Sequence, residues 1–271
     1  MVRVVSALFV ASVLSLACAP AARAADMPVK APAIVADPWT GWYLGASVGG
    51  RWNHDTWTAA SFGDPPFAGI LNSRDNPHDF NSSSLRLGAY GGYNWRVQQM
   101  WVVGLEADFA WASDKQTSAG SIPGLFLATV ESVQMKDTWD GGLRARLGYL
   151  ITPATLLYAT GGASWMKSQA GIFCAVGAPN WCTGSNLASL RTDSVSKTVA
   201  GWTLGAGLET MVTPNWYLRG EYRYTSYTGY HMTLLRGGSG GGGSGNDVID
   251  ADIGRIRTHT ALIGLAYRFG H

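Results

Sequence analysis

Trp216-Tyr217-Leu218-Arg219-Gly220-Glu221-Tyr222-Arg223-Tyr224-Thr225 alternates residue by residue. Trp216, Leu218, Gly220, Tyr222 and Tyr224 make one side; Tyr217, Arg219, Glu221, Arg223 and Thr225 make the other. A period of two marks a strand, because successive side chains point to opposite faces of the sheet. A soluble sandwich would turn the apolar side inward and leave the charges in water. Here similar segments recur along the chain, each about as long as a tilted strand needs to cross a bilayer. The pattern predicts an inverted protein, with lipid outside and ionic groups inside.

Outward from that stretch, the same alternation predicts strands at 42–52, 84–95, 101–113, 137–149, 156–169 and 197–211, the seventh from 216, and an eighth at 258–269. Short connections follow the second, fourth and sixth strands, two of them Thr152-Pro153-Ala154 and Thr213-Pro214-Asn215. Long polar excursions at about 53–83, 115–136, 170–196 and 230–257 follow the odd-numbered strands, with Pro65, Pro66 and Pro77 as breakers in the first. Beyond residue 25 no apolar run approaches the ~20 residues of a spanning helix. Lipid leaves open strand edges unsatisfied, so a membrane sheet must close on itself. The expected fold is all-β, an eight-stranded antiparallel transmembrane barrel of the outer-membrane type over 42–271. Short turns face the periplasm and long loops face outward. Trp42, Trp101 and Trp216 begin strands on the periplasmic side, where an aromatic belt is expected.

The first 24 residues read as a cleaved Sec signal peptide: Arg3, an apolar stretch over 4–19, and Ala22-Arg23-Ala24 as the cleavage pattern. Residues 25–41, with Pro28, Pro32 and Pro38, read as a periplasmic lead-in. Arg3 and Arg23 leave with the signal, so the mature chain carries 18 basic and 18 acidic side chains. That balance offers no basic surface for nucleic acid. Charged residues make up 14% of the chain, while glycine reaches 35 and tryptophan 12. Few charges, many glycines and many aromatics suit close-packed strands between interfacial girdles.

The inward sides of the predicted strands collect Arg51, Arg86, Arg144, Arg146, Arg219, Arg223 and Arg268 with Glu106, Asp108, Asp140, Glu209 and Glu221. These residues either line a selective channel or pair across a narrow lumen. An eight-stranded barrel is just wide enough for its own side chains, and buried charges are tolerated when paired. Mutual pairing is the favoured reading.

Cys174 and Cys182 lie among the turn formers Gly177, Pro179, Asn180 and Gly184, where an oxidising exterior allows a disulfide; two free thiols are the alternative. His54-Asp55 and His78-Asp79 contain residue types of a hydrolytic triad, whose His, Asp and Ser must lie within hydrogen-bond reach; loop sequence does not establish that, so solvent-exposed histidines and no enzyme are expected. The glycine–serine stretch at 237–245 reads as a flexible loop tip. Asp247, Asp250 and Asp252 after it lack the ligand series of a calcium loop, so no metal or cofactor is expected.

Gly264-Leu265-Ala266-Tyr267-Arg268-Phe269 resembles the terminal-strand signal of outer-membrane barrels: Gly264, then Tyr267 and Phe269 at alternate positions, here followed by Gly270 and His271. Ala25-Asp26-Met27-Pro28-Val29-Lys30-Ala31-Pro32 and Trp39-Thr40-Gly41-Trp42-Tyr43-Leu44-Gly45 resemble the alphaproteobacterial outer-membrane immunogenic proteins, a porin-like family of small barrels. Gly201-Trp202-Thr203-Leu204-Gly205-Ala206-Gly207-Leu208-Glu209, Pro214-Asn215-Trp216 and Glu221-Tyr222-Arg223-Tyr224 extend the likeness through strands and turns, leaving out the loops. The resemblance implies an outer-membrane location, recognition by the barrel-assembly machinery, and a role in envelope integrity or host interaction. For some members it also implies haem binding, for which this chain offers His54, His78 or His231 near Trp57, Phe80 or Tyr230. The expected function is that of a structural and surface-interaction barrel among membrane lipid, lipopolysaccharide and environmental or host surface ligands. A narrow diffusion pore and a haem or other ligand receptor are its rivals.

Overall fold

The computed structural model describes residues 37–62, 76–119, 131–174, 192–234 and 249–269. The strands are β1 (Gly41–Phe62), β2 (His78–Arg96), β3 (Trp101–Ala119), β4 (Glu131–Thr152), β5 (Thr155–Cys174), β6 (Thr192–Met211), β7 (Trp216–Tyr227), β8 (Tyr230–Leu234), β9 (Ile249–Ile253) and β10 (Ile256–Arg268). Neighbouring strands pair antiparallel from β1 to β7, β7 pairs with β10, and β10 returns to β1, which closes a ring of eight. Thr228-Gly229 interrupts β7 from β8 and Gly254-Arg255 interrupts β9 from β10, so each pair serves as one long wall strand. Beyond the β10 pairing, β1 continues against β9 from Trp57 to Phe62.

The stagger of the ring can be followed by partners. Tyr43 faces Gly92, then Glu106, Arg144, Gly162, Thr203, Thr225 and Thr258 follow in turn, and the path returns to Asn53, ten residues along from Tyr43. Eight strands with that stagger tilt by about 40° to the axis. Trp42, Trp95, Trp101, Trp216, Tyr267 and Phe269 form an exposed aromatic ring at the turn end. Trp52, Trp111, Trp165 and Trp202, with half-buried Trp139 and Tyr224, form a second ring. From Trp42 to Trp52 is about 33 Å along a strand at ~3.3 Å per residue, or about 25 Å along the axis after the tilt. That is the height of the apolar band of an outer-membrane barrel. Between the rings the outer surface is Leu44, Val48, Leu87, Leu105, Leu143, Leu147, Leu204, Leu208, Leu218 and Ile263, all exposed.

Beyond the second ring the strands continue and their sidedness reverses. On β1, Trp52 faces out above the lipid band, while Trp57 and Ala59 are buried inside and His54, Thr56 and Thr58 take the outer face. Trp57, Phe80, Val133, Met135, Met166, Ile172, Val199, Met232, Leu234, Ile249, Ile253 and Ile256 make an apolar core in this extension. Water replaces lipid outside the wall there, so apolar groups gain by turning inward as in any soluble sheet.

This reversal corrects the loop boundaries. The polar excursions expected at 53–83, 115–136, 170–196 and 230–257 begin and end as strand: β1 runs to Phe62, β2 starts at His78, β3 reaches Ala119, and β4 starts at Glu131. Likewise β5 reaches Cys174, β6 starts at Thr192, and β8 and β9 lie inside 230–257. Outward polar side chains read as loop while the period of two persisted in opposite phase. Residues 1–36, Cys182 and 237–245 lie outside the described residues, as does any pairing of Cys182 with Cys174.

Candidate functional site

The lumen is filled in three layers, and the lowest begins before the first strand. Asp37–Thr40 crosses the turn end of the ring and sets Trp39, fully buried, among Val102, Leu150, Leu156, Tyr158 and Tyr217. Trp39 Nε1 donates to the Pro153 carbonyl (3.0 Å), and its ring meets Tyr217 edge-on at 5.3 Å. Arg268 stacks over Tyr217 (4.3 Å) and donates to the Pro38 carbonyl, which also accepts the Tyr217 hydroxyl (2.5 Å). Gly41 then turns the chain into β1 at a φ of +136°, where a side chain would be strained. Asp37 latches the segment: it accepts the Thr40 hydroxyl (2.7 Å), the Trp39 N–H (3.2 Å) and Arg96 (3.1 Å). Partial burial alone would raise the Asp37 pKa, but these hydrogen bonds and the Arg96 charge hold it below the usual carboxylate range. The lead-in expected at 25–41 thus ends in a stopper, and sequence reading missed Trp39, whose only signal was an aromatic just ahead of a strand.

Above the stopper lies the charged layer. Arg146 meets Glu209 (2.8 Å) and stacks on Tyr158 (3.8 Å), with Arg268 at 3.8 Å from the same carboxylate. Glu106 accepts Arg219 (2.5 Å), the Tyr43 hydroxyl (2.9 Å) and Arg144. Glu221 accepts Arg144 (2.6 Å), Arg223 (2.9 Å) and the Tyr158 hydroxyl (2.9 Å). Asp108 joins Arg86 (2.8 Å) and Arg223 (2.9 Å), and Asp140 joins Arg86 (2.5 Å) and Arg51 (3.1 Å). Some pairs join neighbouring strands, or one strand as Arg223 and Glu221 do, while others reach across the lumen, as Arg219 of β7 does to Glu106 of β3. Gly264 makes room for Tyr90, on whose ring Arg219 lies at 3.3 Å; a Cβ there would sit 2.8 Å from the Tyr90 hydroxyl.

All twelve ionic residues expected inside are therefore brought together, with seven arginines against five carboxylates. Two buried acids complete the count. Asp55 and Asp137 also face inward, and Asp137 accepts Asn53 (2.7 Å) while its carbonyl accepts Arg51 (3.2 Å). Among the described residues, seven arginines face seven carboxylates inside the wall. Extending the β1 alternation from Arg51 through 53 and 55 would have found Asp55. Asp137 was not readable, because an irregularity between Asp137 and Asp140 turns both inward.

The third layer is the apolar core of the extension, lidding the charges from the far end. Its composition separates the residues grouped as haem partners: Trp57 and Phe80 are buried within it, while His54 sits on the outer face bonded to Asn81 (2.7 Å). His78 packs edge-on against Phe80, and His231 bonds Asp252 (2.8 Å) on the outer face of β8–β9. Asp250 accepts Ser61 (2.9 Å) and Thr233 (2.7 Å) there. Of the terminal-strand residues, Tyr267 and Phe269 point to lipid and Gly264 points inward.

The family model for the outer membrane protein beta-barrel domain matches residues 9–269. The 31 kDa outer-membrane immunogenic protein of Brucella melitensis is 30% identical over 265 residues, covering 93% of this chain and 95% of the relative. The 22 kDa outer membrane protein of Rhizobium leguminosarum is 31% identical, covering 81% of this chain and 79% of the relative. Among solved structures, the outer membrane protein OprG of Pseudomonas aeruginosa is 12% identical with a TM-score of 0.46, covering 86% of this chain and 98% of its own.

Proposed function

The chain belongs to the outer-membrane β-barrel family and resides in the outer membrane, and on that premise we propose that it works as a closed structural barrel. Its task in this reading is to stabilise the envelope and to hold its external end at the cell surface, with at most slow passage of small solutes. The observation that carries the proposal is the three-layer filling of the lumen, from Trp39 through the arginine–carboxylate network to the apolar core. A porin leaves an aqueous channel, whereas eight strands leave room for little beyond side chains. Relatives named immunogenic support a surface-exposed external end. Tyr267 and Phe269, outward at the end of β10, are the residues proposed to engage the barrel-assembly machinery.

Planar-bilayer recording of the purified protein tests this. The expected trace is flat at the conductance of an empty membrane. Reproducible single-channel steps from the unmodified protein would replace the structural reading with a narrow diffusion pore.

A further inference from the structure

Lys115 on β3 and Lys136 on β4 are register partners on the outer face of the wall, so two like charges lie directly opposite each other. Such a pair destabilises a sheet, and among the described residues no carboxylate pairs with either lysine. They line a concavity of about 290 Å³ with Gln134, Gln169, Phe173 and Ser194, in which Gln169 donates to Ser194 (3.0 Å). Exposed Lys167 lies on the same face of β5, lower on the wall.

Lys115 lies four residues beyond Trp111, Lys136 three beyond Trp139, and Lys167 two beyond Trp165, each counted away from the lipid band. At ~3.3 Å per residue and a tilt of about 40°, that is about 5–10 Å above the external aromatic ring. The headgroup layer of a bilayer occupies about that depth outside the hydrocarbon. Unpaired cations, amide donors and a concavity thus sit where the phosphates of an outer-leaflet glycolipid lie.

We propose that the Lys115–Lys136 concavity on β3–β5, with Lys167 below it, is a binding site for the phosphorylated headgroup of a lipid A-type glycolipid. One phosphate between the two ammonium groups converts their repulsion into two charge-assisted hydrogen bonds. Gln134 and Gln169 offer amides to the sugar hydroxyls, and Lys167 reaches the phosphate nearer the acyl chains. The proposal gives the envelope-stabilising reading above its lipid partner. The two fail separately, because conductance would refute the closed lumen and leave this site standing.

The test uses the full chain in detergent, titrated with bisphosphorylated lipid A, with the same lipid enzymatically stripped of phosphate, and with inorganic phosphate. A basic side chain beside an anionic headgroup layer is worth about a fivefold gain in affinity. The double variant Lys115→Gln/Lys136→Gln should therefore lose roughly 25-fold for phosphorylated lipid A. It should bind the stripped lipid as the unmodified protein does, and Lys115→Arg/Lys136→Arg should restore affinity. Arg257→Gln, on the outer face of β10 at the opposite wall, serves as the charge-loss control and should shift affinity less than twofold. Without lipid, the glutamine double variant should melt no lower than the unmodified protein, since a like-charge pair has been removed. Equal affinity of the double variant and the unmodified protein would overturn the site. So would indifference to the lipid phosphates, inorganic phosphate binding as tightly as the lipid, or a lower melting temperature of the lipid-free double variant.

Discussion

Glu106 is the point at which the lumen network is most exposed to attack by substitution. Its fully buried carboxylate accepts Arg219, Arg144 and the Tyr43 hydroxyl. Arg144 keeps Glu221 at 2.6 Å when Glu106 is removed, but Arg219 keeps only the Tyr90 face at 3.3 Å. Glu106→Ala therefore strands one guanidinium in a medium that cannot solvate it, and arginine does not escape by losing its proton. Breaking a buried pair in this way costs about 3–5 kcal/mol. For a chain of this size that corresponds to a fall in melting temperature of about 6–20 °C. The assay is heat-dependent loss of the compact electrophoretic form, checked by urea unfolding from lipid vesicles. Removing both charges should behave differently: Glu106→Leu with Arg219→Met leaves no orphaned charge, only the Tyr43 hydroxyl without its acceptor, and stability should return to within about 1–3 kcal/mol of the unmodified protein. If Glu106→Ala alone costs less than about 1 kcal/mol, water reaches Arg219 freely. The lumen is then wet and the closed-barrel argument fails.

Other consequences can be checked alongside. Leu143→Arg, in the middle of the lipid band, should cost about 2–4 kcal/mol, while Thr56→Arg beyond the external ring should be near neutral; equal costs would refute the reversal of sidedness. Gly264→Ala drives a methyl against Tyr90 and should destabilise by about 1–3 kcal/mol, with Tyr90→Phe as a partial rescue because the clashing atom is the hydroxyl. Asp37 has a folded pKa below its ordinary value of 3.8, so its contribution is complete above that value and disappears as pH falls through the lowered one. Acid melting curves should thus separate Asp37→Asn from the unmodified protein at neutral pH and converge as pH falls through the lowered value; a constant gap at all pH values would show that the latch does not depend on charge.

Much of this molecule follows from a local property. Alternation is written into each segment, so the inward direction of Arg51, Arg86, Arg144, Arg146, Arg219, Arg223 and Arg268 and the outward direction of Trp42, Leu44, Leu218 and Tyr222 were readable without a fold. Eight repeats of lipid-facing alternation, joined by alternating short and long connections, already require closure. Lipid-facing alternation ceases to mark the strands where the surroundings of the wall change. Beyond Trp52 the outer face meets water, the favourable phase reverses, and the strand, which ends at Phe62, carries the polar outer face of a loop.

What the tertiary structure alone decided is which residue meets which. Residue 106 finds residue 219 only because eight tilted strands close with a stagger of ten residues, a property of no single segment. The same closure turns a lead-in tryptophan into a stopper and an irregularity in β4 into a second inward acid, Asp137. The pairing of β3 with β4 sets Lys115 opposite Lys136. Direction depends on the period of one strand, whereas partnership depends on ring geometry. The sequence on its own determined the first, and only the closed barrel determined the second.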